Sequence, residues 1–225
     1  GHRADVLIRW GDKVLRNAPD FDPFNLSADA QEQQFGYNND FVAFLPLPRG
    51  SKNSTHGLLA VNHEYTDPEL MFAGLTANSA ASAMTKAQSE VELSAHGLSI
   101  IEIRKGANGW EVDPDSRFNR RISARTTPMQ VAGPAAGHDR LKTKADPSGR
   151  HVIGTLNNCS GGVTPWGTVL TAEENFNSYF GGDPAKTPEA ANHKRLGIMG
   201  KSRYSWPRFH DRFDDGVDLF VDHRD

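Results

Sequence analysis

Two groups of side chains in this sequence have the types and spacing to hold a cation or attack a polar bond. The denser one follows an apolar run: Thr155-Leu156-Asn157-Asn158-Cys159-Ser160-Gly161-Gly162-Val163-Thr164-Pro165-Trp166-Gly167-Thr168, leading on to Glu173-Glu174-Asn175. A thiol in a glycine-rich loop at a strand end can ligate a metal or act as a nucleophile, because the backbone approaches closely and the side chain can enter a cleft. The competing reading of Cys159, the sole cysteine, is a small buried hydrophobe. Glu173 and Glu174 point to opposite faces if a strand continues through them, so one can share the cleft with Cys159 while the other turns away. The alternative is an exposed acidic turn.

The second group is Ala60-Val61-Asn62-His63-Glu64-Tyr65-Thr66-Asp67-Pro68, again at the end of an apolar strand, where oxygen and nitrogen ligands could converge on a hard cation. His63-Glu64 is not a zinc-protease motif, since no second His follows at helical spacing. A strand-end His is more often hydrogen-bonded scaffolding, so Glu64 and Asn62 are the better candidates. Val131-Ala132-Gly133-Pro134-Ala135-Ala136-Gly137-His138-Asp139 superficially resembles a phosphate-cradling loop but lacks the Lys-Ser/Thr ending and carries Pro134. No dinucleotide fingerprint, nucleophile elbow or complete EF-hand is present.

The elements that must position these groups read as antiparallel β. Runs rich in β-branched and aromatic residues, bounded by Gly, Pro, Asn and Asp, predict strands at Phe41–Leu47, Leu58–His63, Leu98–Arg104, Val152–Asn157 and Thr168–Ala172, with shorter ones at Gly109–Val112 and Arg121–Ala124. Lys105 to Gly109 carries two glycines that can take positive φ and predicts a hairpin between its flanking strands. Ala80, Met84, Ala87, Val91 and Ala95 recur at helical spacing, so Ala77–Ala95 reads as one amphipathic helix inserted among strands and ended by Gly97. The strand pattern alone leaves a sandwich, a barrel or a propeller open, and no internal repeat of blade length is visible.

Composition narrows the function classes. With 25 basic against 28 acidic residues and a formal charge of -3, the chain has no basic stripe for nucleic acid. The doublet Arg120-Arg121 reads as a solvated strand edge. No apolar run approaches the roughly 20 residues needed to cross a bilayer, and one cysteine offers no internal disulfide.

Ala4-Asp5-Val6-Leu7-Ile8-Arg9-Trp10-Gly11-Asp12, Phe35-Gly36-Tyr37-Asn38-Asn39-Asp40, Val61-Asn62-His63-Glu64-Tyr65-Thr66 and Asn157-Asn158-Cys159 through Glu174-Asn175 resemble the PhoX family of bacterial alkaline phosphatases, as do Gly133 to His138 and Ser202-Arg203-Tyr204. The resemblance reaches to about Asp214. It implies an all-β fold, a β-propeller present here in part with incomplete blades and one inserted helix. It implies hydrolysis of phosphomonoesters by a cluster of iron (Fe3+) and calcium, export through the twin-arginine route to a periplasmic or secreted location, and a monomer at full length. Carried over onto this sequence, Cys159 matches the family's iron-binding cysteine. Glu64 and Glu174 match acidic ligands with catalytic roles, Glu173 is a further metal candidate, and Asn62, Asn158 and Thr164 are neighbouring cofactor-binding candidates.

Family members are longer, so residues 1–225 are expected to form a single domain, the N-terminal portion of such a propeller, with 215–225 as a divergent tail. Weak or no activity is expected of this chain alone. Two alternatives stand beside this reading. One is a non-catalytic calcium-binding β domain in which Cys159 is packing. The other is a calcium-dependent propeller hydrolase such as a lactonase or phosphotriesterase, which would need no cysteine.

Overall fold

The computed structural model describes residues 1, 2 and 4–214; the expected divergent tail, 215–225, lies outside them. Among the described residues the chain runs α1 (Ala28–Gln31), β1 (Asn39–Pro46), β2 (His56–His63), α2 (Pro68–Met71), α3 (Ala80–Ala83), α4 (Lys86–Ala95), β3 (Gly97–Gly106), β4 (Gly109–Val112), β5 (Arg120–Ile122), β6 (Pro128–Gln130), β7 (His151–Ile153), β8 (Asn158–Val163), β9 (Val169–Glu173) and α5 (Ala190–Leu196). All strand pairs are antiparallel. β1, β2 and β3 pair in sequence, and the free edge of β3 is shared by β5 on its first half and β4 on its second. β6–β7 and β8–β9 form separate two-stranded sheets.

The main sheet is apolar on both faces, which explains its nearly continuous hydrophobic strands. Val61, Ile101 and Ile103 pack on one side with Val14 and Phe35. Their neighbours Ala60, Leu98 and Ile100 pack on the other with Ala43, as the period of two in a strand requires. A third cluster is largely aromatic: Tyr179, Tyr204, Trp206 and Phe213 surround Leu93 of α4, with Tyr204 and Trp206 stacked at 3.7 Å between centroids.

The structure is mostly antiparallel β with few, mostly short helices, and the Lys105–Gly109 hairpin forms as expected. Several local expectations are corrected. The single helix over Ala77–Ala95 is two, because Thr85 stops α3 and caps α4: its hydroxyl accepts from the Gln88 N–H while the Gln88 side chain accepts from the Thr85 N–H, a capping box. Nor is there only one inserted helix, since α1, α2 and α5 also form.

Arg121 is not a solvated edge. Its guanidinium donates to the carbonyls of Ser94 (2.7 Å) and His96 (3.0 Å), satisfying acceptors that the end of α4 leaves open. The predicted strand Val152–Asn157 stops at Ile153, and the glycine-rich segment taken for a loop is instead strand β8.

Candidate metal centre

The starts of β1 and β8 meet the end of β2, and each of the three segments contributes one side chain to a single point. The ligand atoms of Asp40, Glu64 and Cys159 all lie within 4.8 Å of one another. Glu64 sits one residue beyond β2, where its N–H donates to the Asn38 carbonyl at 3.0 Å. Asp40 and Cys159 both sit on β-bulges. The β1–β2 register slips between Asn39 and Val42, and the β8–β9 register slips between Asn158 and Gly161. A bulge adds a residue to one strand and re-aims side chains out of the regular alternation.

Asn62, fully buried, holds the β8 bulge in place. Its amide N–H groups donate to the carbonyls of Cys159 (2.9 Å) and Ser160 (3.4 Å), and its carbonyl accepts from the Thr171 hydroxyl (3.1 Å). Gly161 lets β8 lie against β1, because a Cβ there would stand 2.6 Å from the Phe41 ring and 2.8 Å from the Leu170 carbonyl.

The electrostatics of the cluster are those of donors lacking a positive charge. The Cys159 thiol donates to the Asp40 carboxylate at 3.3 Å, and this hydrogen bond, with burial and the charges of Asp40, Glu174 and Glu64, pushes its pKa up to about 11. Burial first, then Asp40 and Glu174, raise Glu64, against a smaller lowering by Arg203. A cation removes this mutual repulsion, so the residues fit a metal. Carboxylate oxygens suit calcium and a thiolate with carboxylates suits iron.

The other sequence candidates divide. Glu174 acts electrostatically on Cys159 and Glu64 from beside the cluster. Glu173 turns to the opposite face, where its Oε1 accepts from the Thr155 hydroxyl (2.7 Å) and the Leu156 N–H (2.8 Å). Asn158 is buried and donates to the Thr171 hydroxyl, with its own Oδ1 unpartnered. Thr164 lies at the far end of β8, closing the turn to β9 by accepting from the Thr168 N–H. His63 is scaffolding: it is fully buried, its Nε2 is 2.7 Å from the Ser99 hydroxyl, and burial lowers its pKa strongly.

Asp40 was not singled out from sequence. The signal available was its place two residues after Asn38, whose φ of 41° turns the chain into β1, opposite the His63-Glu64 end of β2.

A family model described as alkaline phosphatase PhoX matches residues 1–220 of the 225. The chain belongs to the PhoX family. Among solved structures, this PhoX-family chain is similar to Pseudomonas fluorescens PhoX in complex with vanadate, a transition state analogue, with 39% identity and a TM-score of 0.83. That match covers 95% of this chain and 36% of the other, so the chain spans about a third of the length of its solved relative. A search of curated proteins gives no match. Among the described residues no helix is long and apolar enough to cross a membrane.

Proposed function

We propose that this chain supplies part of the metal centre of a phosphomonoesterase, with Cys159, Glu64 and Asp40 as ligands and Glu174 beside them. The observation that carries the proposal is the convergence of a thiol and two carboxylates within 4.8 Å in a PhoX-family chain. The thiol favours iron, and the carboxylates can serve iron or calcium. Loaded with iron and calcium, the centre would supply positive charge to neutralise phosphoryl oxygens as the ester bond breaks.

The protein's part in this is positional. Asn62 holds the backbone on which Cys159 is displayed. The bulges aim Asp40 and Cys159 at one point, so the donors need little reorganisation when charge develops nearby. The thiol proton rests on Sγ, shared with Asp40, and leaves when metal binds. A single domain forming the N-terminal part of a propeller, and a periplasmic or secreted location, belong to the same reading and rest on the family match. Substrate turnover by this chain alone is expected to be weak, since the cluster offers three converging donors and a calcium ion takes six to eight oxygens.

Metal analysis with a visible spectrum tests the reading. Iron and calcium together, with a thiolate-to-iron absorption band, would support it. Calcium without iron would favour a structural calcium-binding domain, and robust phosphatase turnover by the purified chain would overturn the expectation of weak activity.

A further inference from the structure

Arg203 is placed unusually for an arginine among acids. It is exposed, and it lies within electrostatic reach of Glu64 and Glu92. Yet among the described residues it forms no ion pair and its guanidinium makes no hydrogen bond. Its contacts there are with aromatic faces: the guanidinium carbon lies 5.1 Å from the Tyr65 ring centroid and 5.7 Å from that of Tyr204. Tyr65 directly follows the ligand candidate Glu64.

The backbone beneath is fixed. The Arg203 N–H donates to the Ser178 carbonyl at 3.0 Å. The Ser202 hydroxyl lies 3.2 Å from the Ser178 carbonyl and 3.0 Å from that of Tyr179, and accepts from the Tyr204 N–H. A guanidinium stacked on rings keeps its N–H edge free, and that edge matches two oxygens of a tetrahedral oxyanion.

We propose that Arg203 is a substrate-binding residue that takes two phosphoryl oxygens of the phosphomonoester held at the Asp40, Glu64 and Cys159 centre. This rests on the proposed phosphatase reading. The rings position the side chain, and the absence of a carboxylate partner leaves its donors for the anion rather than for a structural ion pair.

The test uses the chain loaded with iron and calcium, with inorganic phosphate and vanadate as probes in titration calorimetry and in the visible spectrum. Arg203→Gln should weaken phosphate binding by ~10- to 100-fold, the range for loss of a charge-assisted contact. Arg203→Lys should recover only part of this loss, because a point charge cannot reproduce the fork. Metal content and thermal midpoint should stay at wild-type values in both variants. Wild-type phosphate affinity in a fully loaded Arg203→Gln variant would overturn the inference and leave the phosphatase reading standing. A wild-type chain that takes up neither metal would overturn both.

Discussion

At the scale of single residues, the proposed centre would depend on a thiol whose proton is held in place by its neighbours. Asp40 accepts from Cys159, and with burial and the nearby glutamates this holds the thiol at about 11. Metal must displace that proton, so a ligand that is never deprotonated should fail. Cys159→Ser is therefore expected to abolish iron loading while leaving the fold, read by elemental analysis and circular dichroism; unchanged iron content would remove Cys159 from the ligand set.

Glu92 is a separate buried carboxyl. It accepts from the Thr66 hydroxyl at 2.7 Å, and burial outweighs the lowering by Thr66 and Trp206 to raise its pKa to about 7. The folded state thus holds a proton that the unfolded chain releases near the ordinary value of 4.5, so this group makes stability fall as pH rises from about 4.5 to about 7. Glu92→Gln keeps the hydrogen bond without the charge. It should flatten that fall and gain on the order of 3 kcal/mol relative to wild type at pH 8. Denaturant titrations at pH 5 and pH 8 check this, and an equal pH dependence in both proteins would show that Glu92 is not the source.

At the scale of elements, position comes from irregularity in the strands. Two bulges and one buried asparagine bring the starts of β1 and β8 together. Gly161 has no room for a side chain, and one of its obstacles is the backbone of β9, which cannot swing aside as a side chain can. Gly161→Ala should push the β8–β9 hairpin from β1, cost about 1–3 kcal/mol as an overpacked site does, and reduce metal affinity out of proportion to the lost stability. Thermal melts beside metal titrations would separate the two effects; a metal affinity that falls no further than stability does would mean the hairpin carries no ligand.

The sequence showed the strands here because β-branched runs bounded by Gly and Asn mark them directly. It misread β8 as a loop because Gly161 and Gly162 look like loop residues, and only at Gly161 does a neighbour, the Phe41 ring with the Leu170 carbonyl, account for the bare backbone. It likewise merged α3 and α4, because the apolar spacing passes unbroken over Thr85, whose capping role depends on side-chain geometry.

At the scale of the whole molecule, the small sheets are the exposed part. Leu170 of β9 is 58% exposed and Val152 of β7 is 51% exposed, with Ile153, Val163 and Trp166 also open to solvent. Apolar side chains beside short, unpaired strand edges invite pairing with other chains. Sedimentation velocity should therefore show concentration-dependent self-association, relieved by Leu170→Lys; a monomer at all concentrations would show that these edges are protected.

Much of this molecule was legible from the sequence. The β-rich fold class follows from strand patterning. Cys159 and Glu64 stood out by type and by position at the ends of apolar runs, and the family was evident from four motifs. Tertiary structure decided what one-dimensional spacing cannot carry. Asp40, Glu64 and Cys159 are far apart in the chain and meet only because the bulged starts of β1 and β8 lie at the end of β2. Asn62 braces the β8 bulge with its amide donors, Glu173 turns away from Glu174, and Arg121 caps a helix instead of facing water. Local pattern reports which face of an element a residue occupies, whereas a site is set by which elements meet, and that depends on the packing of the whole core.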